Sequence, residues 1–361
     1  MNFKNPVYEC RMNEGIAKDF YVVSVITNPE RFKTRARLFK EFMARMDKYA
    51  AKLYIVEGAF GDRDYEVTDP TNPRHIQVRT ESEIWHKENL INIGISRLPA
   101  DWKYVAWIDA DVDFMRPDWI QETVHELQHN PVVQMFEDAI DMGPDHEILT
   151  VFKSFGYCYK NNLPRKFSKS EKPISDTKII KHSDTIDNTL VTNPIKTAMG
   201  GPYYYDDQTA SSPGTYWHPG YAWAATRDAI NTMGGLFDLA ILGAGDHHMA
   251  CCLIGEGEKS IPKGIHNNYR KLVLAWQNRA LRLHKNIGYV KGTICHYWHG
   301  KKVNRKYKQR WSILIENNYN PSADVHKDWQ GVLTLYPGHE TMRDQIREYF
   351  QSRNEDSIDK E

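Results

Sequence analysis

Three carboxylates, Asp109, Asp111 and Asp113, follow directly on the apolar run Tyr104-Val-Ala-Trp-Ile108, and this junction constrains the fold more than any other segment. The run is β-branched and aromatic, so it reads as a buried strand that ends where the first acid begins. On extended chain alternate side chains point the same way, so the three acids are expected to share a face. Like charges that close repel unless something positive holds them. A hard divalent cation that takes oxygen ligands, Mn2+ or Mg2+, meets that need. An EF-hand calcium loop is excluded: it needs glycine at its sixth position and glutamate at its twelfth, where this chain has Phe114 and Ile120. A solvated acidic strand end without metal, and a carboxylate site for other metal chemistry such as phosphate ester hydrolysis, stay open on the residues alone.

The flanking segments supply a sheet for that strand. Tyr21–Thr27 is a second buried strand, followed by a helix over 31–49 with Phe32, Phe39, Phe42 and Met46 at apolar positions. Leu53–Val56 and His75–Arg79 read as strands, and Glu83–Arg97 as a helix burying Ile84, Ile91 and Ile95. Pro117 suits the first turn of a further helix, and Val132–Phe136 reads as another strand. Such alternation predicts an α/β chain with a mixed, mainly parallel sheet and flanking helices. Ligands of these sheets sit beyond the carboxyl ends of the strands, the rim where Thr27, Asn28, Glu57 and Asp109 fall. The stretch 153–216 is rich in Ser, Thr, Asn and Pro and is expected to be an irregular insert. Patterning resumes at Tyr221–Ala225, with helices expected near 245–254, 268–283, 306–316 and 340–352, and a disordered tail from Asn354.

With 361 residues, 41% of them hydrophobic, the chain is long enough for one large domain or two modest ones. There is no run of about 18 apolar residues and no apolar signal core in Met1–Asp19, so a cytoplasmic protein without membrane partners is expected. Five cysteines in no disulfide or zinc spacing are expected to be reduced. The zero net charge hides an asymmetry. Asp101–Glu147 holds twelve acids against Lys103 and Arg116, while Asn267–Arg310 holds twelve lysines or arginines and no acid. One segment suits a cation and the other a polyanion, although oppositely charged solvated surfaces explain the same counts.

The order of motifs resembles the GT-A glycosyltransferases. Trp107-Ile-Asp-Ala-Asp111 is similar to their DXD motif, and Lys87-Glu-Asn-Leu-Ile-Asn-Ile-Gly94 to the Lys-X-X-X-X-Asn-X-Gly helix of galactosyltransferase-like members. Pro219–Asp228, Met233–Asp238 and Leu242-Gly-Ala-Gly-Asp-His-His-Met249 resemble their acceptor half, and Ile294-Cys-His-Tyr-Trp-His-Gly-Lys-Lys302 their late metal histidine. The last signature and Trp-Ile-Asp-Ala-Asp also look like GT-A-like proteins of large phages and viruses.

The resemblance implies a GT-A, Rossmann-like nucleotide-diphospho-sugar transferase domain over 1–305. Within it lie a donor half over 20–143, the insert over 153–216 and an acceptor half over 217–305, followed by a helical extension over 306–361. It implies an enzyme, a hexosyl- or pentosyltransferase using Mn2+ or Mg2+ and a nucleoside-diphosphate sugar, most simply a UDP-sugar. Its acceptor would be a glycan or a modified base in phage DNA, in which case the compartment is the host cytoplasm. Donor contacts would fall to Thr27, Asn28, Arg31, Glu57, Lys87, Asn92, Asp109 and Lys301, with Lys302 and Arg305 near the diphosphate. Metal ligands would be Asp109 and Asp111 with His296 or His299; strand alternation favours one histidine, and His299 is preferred. Asp246 would be the catalytic base, where a helix cap is the plainer role. Trp217, Tyr221, Trp223 and His247 would shape the acceptor site, with Tyr203, Tyr204 and Tyr205 nearby.

Two other functions fit parts of the pattern. A nucleotidyltransferase or phosphohydrolase shares the acidic metal site and would turn over nucleotide without an acceptor. A non-catalytic nucleic-acid-binding protein would use the basic stretch with its interleaved Tyr269, Trp276, Tyr289 and Trp298, but leaves the acid triplet unexplained.

Overall fold

The computed structural model describes residues 17–163, 217–307 and 309–358. Its centre is the expected mainly parallel sheet. β1 (Phe20–Thr27), β2 (Leu53–Phe60), β3 (His75–Thr80) and β4 (Tyr104–Ile108) run parallel, with β1 between β2 and β4. Beyond β4 comes β9 (Ala222–Thr226), antiparallel to both β4 and β6 (Val132–Gln134). β10 (Ile287–Tyr289) closes that edge, parallel to β6. Segments from 20–143 and from 217–305 therefore interleave in one sheet, because the Ala-rich β9 threads between β4 and β6. Apolar residues on both faces of β1, Val22 and Val23, are wholly buried, as in a sheet covered by helices on each side.

α1 (Lys33–Lys48) and α2 (Lys87–Ser96) pack against this sheet. α1 buries Phe39, Phe42 and Met46 as the sequence predicts, together with Leu38, whereas Phe32 is its half-buried N-cap. α2 lies unusually close. A Cβ at Gly94 would meet Val23 Cγ1 at 2.6 Å and Val56 Cγ2 at 3.0 Å, so the glycine lets the helix backbone rest on the strands. That contact fixes where the first turn of α2 delivers Lys87 and Glu88.

After β4 the chain does not run on extended. It turns at Asp109–Asp111, with the Val112 amide donating to the Asp109 carbonyl at 3.4 Å, and enters β5 (Val112–Phe114) of a second sheet. That sheet has the order β5, β11 (Thr293–His296), β7 (Asp138–Met142) and β8 (Ile148–Lys153), with β11 antiparallel to β5 and parallel to β7. The three acids therefore do not share a face. The helices that follow are α3 (Trp119–Leu127), α4 (Phe155–Lys160), α5 (Arg227–Met233), α6 (Gly245–Leu253) and α7 (Asn267–Ala280). α8 (Arg310–Glu316), α9 (Pro321–Asp324), the hairpin β12 (Val325–Lys327) and β13 (Leu333–Leu335), and α10 (Glu340–Ser352) complete the described chain.

Three expectations are corrected. The helix expected from residue 306 begins at Arg310, because Lys306 has φ 44° and a left-handed residue stops a helix. The stretch from Lys153 is not irregular throughout, since 155–160 is helical under a Ser154 cap that accepts from the Tyr157 amide; Tyr203, Tyr204, Tyr205 and the rest of 164–216 lie outside the described residues. In the tail from Asn354, residues 354–358 are held rather than loose, and 359–361 lie outside the described residues. Glu355 is buried between Arg35 and Arg353, and the Asp356 carboxylate accepts the Lys33 and Thr34 amides at the N-terminus of α1. Cys158, Cys251, Cys252 and Cys295 are free thiols, and among the described residues no helix is long and apolar enough to cross a membrane.

Candidate active site

A cavity of 480 Å3 opens at the carboxyl ends of β1 and β4, lined by Thr27 and by Asp109 to Asp111. The N-termini of α2 and α6, the loop after β11 and parts of α1, α8 and the segment after α10 form its other walls. Asp109 is placed by its own amide, which donates to the Tyr221 carbonyl at 2.8 Å, and its carboxylate pairs with Lys87. Burial works against a charge on Lys87, yet Asp109, Asp246 and Glu88 hold its ammonium above the ordinary lysine range.

Asp111, His296 and His299 converge. Asp111 Oδ2 lies 3.1 Å from His299 Nε2 and 3.6 Å from His296 Nε2, and the two imidazole nitrogens are 3.3 Å apart. Potential ligand atoms of all three fall within 4.8 Å of one another. Both histidine rings reach Asp111, because β11 ends at His296 and strand alternation no longer governs His299. Burial alone would raise the Asp111 carboxyl, but His296 and His299 hold it well below the usual carboxylate range. Burial pushes His299 down to about 4, so its ring is neutral and carries a lone pair. His296 is oriented from behind: its Nδ1 lies 2.7 Å from Asp141 Oδ1, which also accepts from the Tyr221 hydroxyl at 2.8 Å. The Tyr221 ring stacks on His218 with centroids 4.0 Å apart. Asp109 stands outside this cluster, held by Lys87, and Asp113 points away to Arg45 at 3.9 Å.

Across the cavity, Asp246 lies in the first turn of α6, not at its cap, which is Ala244. Its Oδ1 accepts the His247 amide at 2.7 Å. A Cβ at Gly220 would come within 2.8 Å of Asp246 Oδ2, so the glycine gives the carboxylate its room. Glu88, which sequence reading left unassigned, is buried beside it. A Cβ at Gly245 would sit 2.6 Å from the Glu88 carboxyl. Burial raises that carboxyl from 4.5 to about 8, so Glu88 is protonated in the neutral range. Between those values the unfolded chain ionises and the folded one does not, so Glu88 costs stability as pH rises from about 5 to about 8. Glu88→Gln should therefore stabilise the fold, by a margin that widens over that window to roughly 4 kcal/mol. Denaturant unfolding at pH 5 and pH 8 measures it, and a margin that stays constant would contradict the protonated state.

Other expected site residues do structural work. Glu57 accepts the Glu66, Val67 and Thr68 amides and the Thr68 hydroxyl, which shapes the loop after β2 and leaves it outside the cavity lining. Asn28 bonds Phe32 through both ends of its amide, and Asn92 ties α2 to the Leu236 backbone in the same way. Arg31 is exposed, and Arg35, one turn further along, lines the cavity instead. Trp217 packs on Phe155 in the core, and the Trp223 indole donates to the Pro219 carbonyl at 2.8 Å. Tyr221 and His247 do line the cavity. Lys301 does not, Lys302 pairs with Asp141, and Arg305 reaches His299. Arg310, Arg353 and Glu355, all in the cavity wall, were missed, because only tertiary packing brings the last segments to this rim.

No family model and no curated protein sequence matches the chain. Among solved structures, the catalytic domain of Drosophila β1,4-galactosyltransferase 7 with xylobiose is similar at 11% identity, covering 90% of this chain and 96% of that one, with a TM-score of 0.33. A mutant of that enzyme with manganese, UDP-Gal and xylobiose gives 10% identity, coverage of 90% and 97%, and a TM-score of 0.34. The 4-diphosphocytidyl-2C-methyl-D-erythritol synthase of Anaerococcus prevotii gives 10% identity, coverage of 76% and 90%, and a TM-score of 0.29.

Proposed function

We propose that this protein is a metal-dependent glycosyltransferase of the GT-A type, moving a sugar from a nucleoside-diphosphate sugar onto an acceptor hydroxyl. The observation that carries the reading is the meeting, at the carboxyl rim of a mainly parallel sheet, of the Asp111–His296–His299 cluster with a second carboxylate, Asp246, in the same cavity. The cluster suits a metal: Asp111 Oδ1 is buried without a hydrogen-bond partner among the described residues, and the three donors are one oxygen and two neutral-capable imidazoles. That set favours Mn2+ over Mg2+, which prefers oxygen ligands and keeps its waters. When bound, the metal supplies Lewis-acid neutralisation of the leaving diphosphate.

The chain's own residues do the rest. Asp141 fixes the His296 ring so that Nε2 faces the cluster. Lys87 holds Asp109 at the rim, where Thr27 ends β1 beside the donor's nucleotide. Asp246 accepts the acceptor proton as the hydroxyl attacks the anomeric carbon. Tyr221 and His247 flank the acceptor, and Glu57, Asn28 and Asn92 hold the loops around the donor. Because Arg310, Arg353 and Glu355 reach the cavity, 306–358 acts as part of the catalytic unit. A UDP-sugar is the first donor to test, and a glycan and a glucosylatable DNA base present the same hydroxyl chemistry to Asp246.

Calorimetric titration of UDP, with and without Mn2+, tests this, with the other nucleoside diphosphates as controls. Metal-dependent binding of one nucleotide is expected. If none binds with any divalent cation, the reading is wrong; nucleotide turnover without an acceptor would point to a phosphohydrolase instead.

A further inference from the structure

One wall of the cavity is built from guanidinium groups. Arg35 comes from α1, Arg305 from the turn before α8, Arg310 from α8 and Arg353 from the end of α10. Arg310 and Arg353 are buried, 8% and 6% exposed. Of the carboxyl side chains lining the cavity, Asp109 is paired with Lys87, Asp111 with the histidines, and Glu88 and Asp246 belong to the α2 and α6 side. Glu355 is the acid among the arginines. Arg35 grips it as a fork, Nε donating to Oε2 at 2.9 Å and Nη2 to Oε1, while Arg353 Nε donates to Oε1 at 2.7 Å. Two guanidinium groups thus converge on one buried carboxylate, Arg35 as a fork and Arg353 through Nε, with Arg305 and Arg310 lining the same cavity, and convergent arginines about a shared anion are the way proteins hold phosphate.

The location is specific as well. Burial alone would raise the Glu355 carboxyl, but Arg35, Arg353 and His299 hold it far below the usual range, and Glu355 lines the same cavity as the metal-ligand cluster. Arg305, in the same wall, reaches that cluster directly, its Nη2 donating to His299 Nε2 at 2.8 Å.

We propose that this wall is a phosphate subsite and that the Glu355 carboxylate is its internal occupant, competing with the diphosphate of the donor for Arg35 and Arg353. This rests on the donor reading above for the identity of the anion, but not for the existence of the subsite. The segment carrying Glu355 is latched by two further contacts, Asp356 on the first amides of α1 and the Trp298 indole on the Ser357 carbonyl at 2.8 Å. Anion binding therefore requires the latch to yield, and only the fraction of molecules with Glu355 displaced is competent to bind.

The test is binding of inorganic pyrophosphate, measured by calorimetry in EDTA so that no metal takes part. Glu355→Gln keeps the side-chain shape and removes the competing charge; it should bind pyrophosphate about tenfold more tightly than wild type. Asp356→Asn loosens the latch without touching an arginine and should shift affinity in the same direction by a smaller factor. Thermal melting confirms that each variant is folded, and Asp356→Asn decides alone if Glu355→Gln is not. Folded variants that bind pyrophosphate as weakly as wild type, or more weakly, overturn the proposal. A wild type that ignores Mn2+ and UDP while Glu355→Gln still gains pyrophosphate affinity would remove the donor reading and leave the subsite; the converse would remove only the subsite.

Discussion

Asp111→Asn should lower transfer activity by about a thousandfold or more and weaken Mn2+ binding by at least about a hundredfold. The substitution preserves volume and removes the one negative charge of the proposed ligand set, leaving two neutral imidazoles that on their own hold a divalent cation poorly. Asp111 is also the residue on which His296 and His299 converge, at 3.6 and 3.1 Å, and no other carboxylate among the described residues joins that cluster. Asp113→Asn is the matched control. Its side chain is turned toward Arg45, away from the cavity, and it should bind Mn2+ within about twofold of wild type. Electron paramagnetic resonance of free Mn2+ reads both. Equal affinity in wild type and Asp111→Asn would sink the metal assignment, and equal losses in the two variants would mean that the acidic run acts through its summed field rather than through ligation.

That contrast shows where the sequence was legible. β4 and its terminal Asp109 are local: an apolar run, then an acid, and nothing distant is needed to read them. The divergence of Asp111 from Asp113 is not local. It depends on the turn at Asp109–Asp111 and on Asp113 pairing opposite Cys295 in β11, a partner far along the chain. Strands of three or four residues such as β5 and β11 carry too little periodicity to be seen in sequence. The two histidines were visible as candidates, but their convergence on Asp111 turns on β11 ending at His296. Glu57 was legible as an acid at a strand end, and its role was not, because the amides that occupy it come from a loop with no pattern of its own. The basic stretch behaves the same way. Arg279 and Arg282 donate to the Met233 and Thr232 carbonyls and Arg270 pairs with Glu258, so much of what looks in sequence like a polyanion surface is stapling within the fold. Charge counts locate basic residues but not what they touch, and Arg305 and Arg310, from the end of the same stretch, face the cavity.

Asp246→Asn should lower kcat by about 10^2- to 10^4-fold and leave Mn2+-dependent donor binding within a fewfold of wild type. Two carboxyl groups lie on this side of the cavity, and their environments separate their roles. Glu88 is 3% exposed and stays protonated until about pH 8, so in the neutral range it has a proton to give rather than a lone pair to take one. Asp246 is half-buried, opens on the cavity and is supported by the His247 amide at the positive end of α6. A base must reach the acceptor hydroxyl, and Gly220 leaves Asp246 Oδ2 the space to do so. Gly220→Ala would crowd that oxygen and should reduce kcat without altering donor affinity. Steady-state kinetics with saturating donor, paired with calorimetry for UDP, divides the effects: a fall in kcat alone supports a base, whereas parallel losses in kcat and donor binding would make Asp246 an electrostatic support for Lys87. If Glu88→Gln loses as much kcat as Asp246→Asn at pH 7, the assignment moves to the pair, with Glu88 holding the proton that Asp246 needs.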